Sequence, residues 1–548
     1  MERRPARPRR LGRRAFLRLA ARSTLAAGVA GPLAAACRSG KKSPTPTFVP
    51  LSPSIPPNTA APTLVPSTST ATAGSLDWTT LASKLKGQLV LPGDEAYDTA
   101  RVLFDPRFDR VRPAALARCA SPDDVAASIT FARQHGVPIA PRGGGHSYAG
   151  YSTGNGLVID VGPMNNVQVD DQRGQAVVAA GTRLIDLYGA LAQHNVAVPG
   201  GSCATVGIAG LTLGGGIGVV GRKFGLTCDN LVAADVVTAD GKLITCDASS
   251  HSDLLWACQG GGGGNFGIVT AFRFATHPVG PLTTFSLSWQ WSAAHDVLAA
   301  WQEWAPNAPD ELWSNCLLVA GPDPAGTPSI LANGVYVGSA GPLNALIDQL
   351  ATHAGAPSER YVNTVSYLDA MLIEAGCSGK SVAECHLPSQ DPAGTLSRES
   401  SHSKSDFFSK PLPDAAIAAC ISNVEARQAD PTLANGGVAF DALGGAINRV
   451  APSATAFVHR SALFDAQYSG SWTSGGQPTD DANKTWVEQM YTALHPYGDG
   501  GAYVNYIDPD QPDWQQAYYG ANLARLKQVK QKYDPADIFK FPQSIPLG

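Results

Sequence analysis

The sequence predicts an α+β fold in two units, and three observations carry that prediction. Helix and strand signals alternate between about Ser121 and Cys246, the pattern of an α+β unit. Three glycine-rich clusters, each beside a predicted strand, punctuate residues 141–270. Beyond Pro278 the character changes to long strands with a helix covering them, which predicts an antiparallel sheet under helices as a second, α/β unit.

The 548-residue chain is 16% charged and 44% hydrophobic, with a formal net charge of −4. That balance gives no reason to expect a nucleic acid or an anionic membrane surface as partner. No apolar run in the body approaches the roughly 20 residues that a bilayer-spanning helix needs. The chain before Leu76 stands apart. A basic stretch, RRPARPRRLGRR, leads into the alanine-rich AFLRLAARSTLAAGVAGPLAAAC, too short and weakly apolar for a stable span. Arg13-Arg14-Ala15-Phe16-Leu17 fits a twin-arginine export signal. Leu33-Ala34-Ala35-Ala36-Cys37 resembles a lipobox that would leave Cys37 lipidated, with Ala34 standing where leucine is usual. An ordinary cleaved signal is the alternative. From Arg38 to about Ala73 proline, serine and threonine dominate; such a stretch cannot bury enough apolar surface to fold and reads as an extended tether.

The elements of the body follow in order. Ser121-Pro122-Asp123-Asp124 starts a helix, with an N-cap serine, proline in the first turn and acids at the positive dipole end. It runs to about Gln134 and stops at His135-Gly136. VPIAP (137–141) is a buried strand that delivers the chain into the glycines at Gly143. LVIDV (157–161) and AVVAAG (176–181) are further strands, and Thr182 is placed to cap a helix over Leu184–His194. LVAADVVTADGKLITC (231–246) is a hairpin turning at Asp240-Gly241, a pair favoured by type I′ turns. FSLSWQWS and ANGVYVGSA are long strands, AAHDVLAAWQEWA a covering helix, and YYGANLARLKQVKQKYDPADIF an amphipathic helix closed by Asp534-Pro535.

PRGGGHSYAG (141–150) runs three glycines into a histidine. Glycines let a backbone come close to a phosphate, but a histidine at the end of the loop is not needed for that. The second cluster spans 199–231 and the third, GGGGGNFGIVT, spans 260–270. Neither is framed as a Rossmann fingerprint. One long diphosphate cofactor threaded between two small subdomains accounts for all three.

Four segments, PRGGGHSYAGYSTGNGLVIDV, GSCATVGIAGLTLGGGIG, GGGGGNFGIVTAFRF and YGANLARLKQVKQKYDPADIFKFPQSI, carry a resemblance to a known family. They resemble the FAD-linked oxidases of the vanillyl-alcohol oxidase type, with a PCMH-type FAD-binding domain, and within them the berberine-bridge-enzyme-like group. The resemblance runs from about Leu76 to the end. It implies an FAD-binding domain of two subdomains over 76–278, a substrate domain over 279–498 and a segment over 499–548 that returns to the FAD domain, after the signal (1–37) and tether (38–75). FAD is the implied cofactor. Its implied contacts are Arg142, Gly143, Gly144, Gly145, His146 and Ser147 in the first loop. In the second they are Cys203, Val206, Gly207, Gly210, Gly214, Gly215, Gly216 and Gly218, followed by Gly267, Ile268 and Val269 in the third, and Asn505. In relatives with an R-G-G-G-H-S loop the histidine is bonded to the flavin 8α-methyl carbon, and His146 matches it; neutral imidazole is a good nucleophile near pH 7. Cys203, within Gly201-Ser202-Cys203-Ala204-Thr205-Val206-Gly207, matches a cysteine bonded to flavin C6 in relatives with two links. Leu211 replaces the histidine many of those carry, and GLTLGGG also occurs in relatives linked through histidine alone, so the second bond stays open at this point.

Hydride removal from an alcohol needs a base for the hydroxyl proton. The resemblance implies Tyr506 in that role with Tyr503 assisting, on a block that contains Asn505. A phenol of ordinary pKa near 10 would need nearby cations or charge sharing with a second group. Arg460, in Ala456-Phe457-Val458-His459-Arg460, either pairs with a carboxylate or stiffens the sheet, and Tyr468 and Trp472 are candidates to line the cleft. Cys377 and Cys385 are expected to form a disulfide in an exported chain, and no cysteine or histidine spacing supports a metal site. The expected activity is oxidation of an alcohol, foremost a sugar or oligosaccharide hemiacetal, with O₂ reduced to H₂O₂. An aromatic or secondary-metabolite alcohol or amine, a different electron acceptor, or a flavin-binding surface lipoprotein without catalysis are the alternatives. The membrane enters only through the lipid anchor.

Overall fold

The computed structural model describes residues 76–433, 435–473 and 476–548. The export signal, Cys37 and the tether lie outside the described residues. Four strands, β1 (Gln88–Val90), β2 (Ala115–Arg118), β3 (Ile139–Arg142) and β4 (Leu157–Asp160), form the first sheet in the order β1-β2-β4-β3. Parallel pairing of β2, β4 and β3 needs a crossover, and the helix Pro122–His135 supplies it between β2 and β3. Ser121 caps that helix through the Asp124 amide at 3.4 Å, as the sequence predicts, and Val125, Ile129 and Ala132 turn into the core.

The chain then lays down β5 (Val167–Asp170), β6 (Gln175–Ala179), β7 (Val196–Ala197), β8 (Leu231–Val237), β9 (Leu243–Asp247), β10 (Ile268–Ala275) and β11 (His277–Pro278). β7 pairs only with β11, and the other five make an antiparallel sheet in the order β5-β6-β10-β8-β9. Two local expectations are corrected here. The β8–β9 turn is not type I′: the Gly241 amide bonds to the Thr238 carbonyl at 2.9 Å and only Gly241 (φ 82°) is left-handed, the arrangement of a type I turn closed by a glycine bulge. Thr182 does not cap the next helix, which runs Leu184–Ala192 behind Arg183; the Thr182 hydroxyl is buried without a hydrogen-bond partner.

The third sheet is antiparallel and has seven strands: β12 (Leu282–Trp289), β13 (Leu312–Ala320), β14 (Ser329–Tyr336), β15 (Glu359–Val365), β16 (Ser400–Phe408), β17 (Gly436–Ala442) and β18 (Phe464–Trp472). Their order is β15-β12-β14-β13-β17-β18-β16. The helices Ala294–Asn307, Ala340–Ala354, Asp414–Ala429 and Gln477–Leu494 cover one face. Alternate strand residues such as Cys316, Leu318, Phe440 and Phe464 pack there with Trp301, Ile347, Ile417 and Trp486, each large apolar side chain contributing about 1.5–3 kcal/mol on burial. The expected α+β architecture, with a helix-covered antiparallel sheet, is what the chain adopts. The opposite face of this sheet is turned away from the helices.

The last helix, Leu523–Tyr533, carries a fully buried Lys530 whose ammonium donates to Asp534 (2.6 Å), to the Phe539 carbonyl (2.7 Å) and to the Asn265 carbonyl (3.1 Å). That contact fastens the C-terminal segment to the third glycine cluster. Cys377 and Cys385 form the expected disulfide, their Cα atoms 5.8 Å apart. Among the described residues no helix is long and apolar enough to cross a membrane.

Candidate active site

β3 ends on Arg142 and releases the first glycine loop; the second loop crosses it at van der Waals range. A Cβ on Gly144 would stand 2.2 Å from the Gly207 nitrogen, and one on Gly207 would stand 2.5 Å from the Gly144 nitrogen. Glycine is therefore required at this crossing by backbone meeting backbone. Arg183 donates to the Gly143 carbonyl at 2.9 Å, and His146 Nε2 lies 2.8 Å from the Thr205 hydroxyl. The His146 ring stacks on Phe104 with centroids 4.2 Å apart. Burial, helped by the Arg183 charge, pushes the His146 imidazole down to about 3, so at neutral pH it is an uncharged nucleophile. Cys203 sits exposed on the second loop, outside the disulfide.

The backbone N–H groups from Gly144 to Ser147 donate to no acceptor among the described residues. A run of unused amides beside a half-buried neutral imidazole fits a diphosphate-bearing flavin. Arg142 serves the loop from behind: its guanidinium donates to the carbonyls of Ala100 (2.6 Å), Arg101 (3.0 Å) and Ser152 (3.0 Å), which leaves it a scaffold for the loop. The Ser147 hydroxyl accepts from the Tyr151 amide, and the Val206 carbonyl accepts from the Leu184 amide. The third cluster joins the second through the Gly262 amide and the Leu213 carbonyl (2.8 Å). It runs through Gly267 into Ile268 and Val269, both buried at the start of β10. A Cβ on Gly210 would meet nothing within 4 Å, so that side of the second loop is open. Gly218 packs against Gly200.

The block Tyr503-Val504-Asn505-Tyr506 clamps the second loop. The Tyr503 hydroxyl oxygen accepts from the amides of Gly216 (2.9 Å) and Ile217 (3.1 Å) and from Asn505 Nδ2 (2.8 Å). Asn505 also donates to the Leu211 carbonyl at 2.9 Å and touches Gly214, while Phe457 touches Gly215. Tyr503 is thus committed to holding the loop. Replacing it by phenylalanine strips two buried amides of their acceptor, at about 1–3 kcal/mol each; a lowered melting temperature of the FAD-loaded Tyr503→Phe protein is the expected result.

Tyr506 stacks on Tyr148 with centroids 5.7 Å apart and planes within 5°, and it meets Tyr503 edge-on at 4.9 Å. Tyr148 accepts from Gln467 Nε2 at 2.9 Å. Burial pushes the Tyr506 phenol well up, and the carboxyls of Asp465 and Asp441 push it the same way. These two acids are the feature that sequence reading did not single out. They are direct register partners on β17 and β18, which sets their Cβ atoms about 4.5–5.5 Å apart on one face. Asp465 is 0% exposed and both its carboxyl oxygens lack a hydrogen-bond partner. Burial raises both, Asp441 to about 7 and Asp465 well above the usual carboxylate range, the latter also through Asp441. Two adjacent carboxyls, Asp465 fully and Asp441 half buried, do not both ionise, so the pair holds one proton and presents one carboxylate.

The remaining candidates go elsewhere. Arg460 is a structural pin: it forms a two-pronged ion pair with Asp229 at 2.6 and 2.9 Å and donates to the Ile447 and Phe457 carbonyls. Tyr468 does not line the cleft. It lies three residues beyond Asp465 and so on the opposite face, buried under the helices with its hydroxyl on Asp406 at 3.0 Å. Trp472 is buried near His402. A signal for the acid pair was present: the tripeptide Phe-Asp-Ala occurs at 440–442 and again at 464–466.

A fold built around paired glycine loops, whose unused backbone amides adjoin a neutral imidazole, fits an FAD-dependent oxidoreductase. Residues 113–247 match the model of an FAD binding domain, and residues 502–546 match the model described as berberine and berberine like. The chain is 37% identical over 469 residues to the uncharacterized FAD-linked oxidoreductase YgaK of Bacillus subtilis (strain 168), covering 85% of this chain and 98% of that one. It is 31% identical over 456 residues to the xylooligosaccharide oxidase of Thermothelomyces thermophilus, covering 79% and 87%. The solved structure of Physcomitrella patens BBE-like 1 superposes with a TM-score of 0.78 at 32% identity, covering 86% and 99%. The chain belongs to the berberine-bridge-enzyme-like family of FAD-linked oxidoreductases.

Proposed function

We propose that the protein oxidises the hemiacetal carbon of a sugar or oligosaccharide to a lactone and returns the electrons to O₂ as H₂O₂. The observation that carries this reading is the Asp441–Asp465 pair, a proton acceptor set beside Tyr506 with Asn315 next to it on β13. When bound, FAD supplies the hydride acceptor and the two-electron reduction of O₂. Asp441 takes the proton of the substrate hydroxyl, Asp465 keeps the proton the pair already shares, and Tyr506 and Tyr148 orient the hydroxyl as neutral phenols. Tyr506 itself is kept protonated by burial and by the adjacent acids, so the role assigned to it from sequence passes to Asp441. The similarity to a xylooligosaccharide oxidase supports the substrate class.

We also propose that His146 holds FAD covalently and that Cys203, exposed on the facing loop, forms the second bond. Two bonds would retain the cofactor in an open cleft. The twin-arginine pattern agrees with this, since that route exports proteins already folded and loaded. The purified FAD-loaded enzyme should lose its yellow colour when mixed anaerobically with a reducing oligosaccharide and regain it in air with release of H₂O₂. After acid precipitation the colour should stay with the protein, with one FAD joining the His146 and Cys203 peptides. Bleaching by aromatic alcohols alone would displace the sugar reading; colour left in the supernatant would remove both covalent assignments.

A further inference from the structure

We propose that one transverse row on the open face of the seven-stranded sheet, running from Asp441 out to Tyr361, binds the trailing units of a neutral oligosaccharide whose reducing end is oxidised. This rests on the sugar reading above. The row is Asp441, Asn315, Asn333, Ser286 and Tyr361, each the register partner of the next on β17, β13, β14, β12 and β15. Register partners in antiparallel strands share a face. At about 4.7–4.9 Å per strand, four steps carry the row about 19 Å from Asp441, the reach of a short glycan chain.

Three features mark this row as a binding surface. Its inner members are partly exposed, whereas their chain neighbours Ser314, Cys316, Ala332, Phe285 and Leu287 are buried on the helix-covered side. Every inner member is polar, although a sheet face serving only to pack would be apolar. The amides of Asn315 and Asn333 make no side-chain hydrogen bond among the described residues, and their carbonyl oxygens are buried without partners. A half-turn of either amide presents a carbonyl or an N–H₂ to the cleft, matching the mixed donors and acceptors of sugar hydroxyls.

The far end is aromatic. Tyr361 is 50% exposed on the edge strand, a ring with an apolar face and a polar tip, suited to the C–H face of a sugar ring. Beyond Asp441 the row carries no charge, so the chain it fits is neutral.

The test uses FAD-loaded enzyme with β-1,4-linked xylo-oligosaccharides of two to five units, and titration calorimetry with the matching alditols, which bind without being oxidised at C1. Expected are a kcat/KM that climbs with chain length to about four units and tighter binding of longer alditols. Tyr361→Ala should cut the tetramer-to-dimer ratio of kcat/KM about tenfold, and Asn333→Leu should weaken trimer binding. Tyr497→Ala, which removes an exposed tyrosine elsewhere, should leave the ratio alone. Sugars oxidised equally at every length, or a ratio unmoved by Tyr361→Ala, would overturn the row and leave the sugar reading standing. Failure of every sugar to bleach the flavin would overturn both.

Discussion

Asp441→Asn is expected to lower kcat by two to four orders of magnitude, the range that a positioned general base supplies, while the flavin spectrum of the purified protein stays normal. The wild-type kcat should rise with pH along a limb whose apparent pKa belongs to the acid pair and lies near 7, where burial holds Asp441. That limb should vanish in Asp441→Asn and persist in Asp465→Asn, because the carboxyl that ionises first is still there. Stability should move the other way. A carboxyl whose folded-state pKa is raised binds its proton more tightly in the native state, so its stabilisation is complete below about pH 4 and is lost as pH rises through about 7. Melting temperatures at pH 5 and pH 8 should fall more for wild type than for Asp441→Asn. A variant that keeps its activity, or keeps the pH limb, would take the proton acceptor away from Asp441.

Gly144→Ala should yield protein without flavin. The added Cβ would meet the backbone nitrogen of Gly207 at 2.2 Å and its Cα at 2.8 Å, and a backbone cannot swing aside as a side chain can. The two loops must separate, at about 1–3 kcal/mol for an overpacked site. Separation draws His146 from Thr205 and breaks the run of amides that would meet a diphosphate. A colourless protein that still folds is the expected outcome, and Gly207→Ala should reproduce it from the other side of the contact. Gly341→Ala, on the covering helix Ala340–Ala354, whose Cβ would meet nothing, is the control expected to load normally. Equal flavin content in all three would mean the loops do not hold the cofactor.

The parts of this architecture that could be read from the sequence are those written in neighbouring residues. Ser121-Pro122-Asp123-Asp124 announces its helix through local capping, and the glycine loops declare themselves because no other residue permits such contacts. Their partners could not be inferred: that Gly144 faces Gly207 depends on how two distant segments cross. The acid pair was hidden for the same reason. Asp441 and Asp465 are joined by the register of β17 and β18, which a loop of 21 residues between Ala442 and Phe464 leaves undetermined. Tyr468 was misjudged through parity, since an odd step from Asp465 turns a strand residue to the other face. Thr182 shows a cap signal overridden by tertiary position, for the helix begins behind Arg183.

The two faces of the large sheet have separate duties, and that separation bears on how such an enzyme can change. Residues packed beneath the helices, such as Phe440, Phe464 and Cys316, carry the thermodynamic load. Those alternating with them, Asn315, Asn333 and Gln467, are only partly buried and lie on the face proposed to meet the substrate. Substitution on the second set can drift from one chemistry to another while the first set keeps the chain folded. Asp465 is the exception, because it is wholly buried; a lineage that abandons it must replace both its shared proton and its volume together. Directed evolution confined to Ser286, Asn315 and Asn333, the partly exposed positions of that face, should therefore retain a high proportion of folded clones.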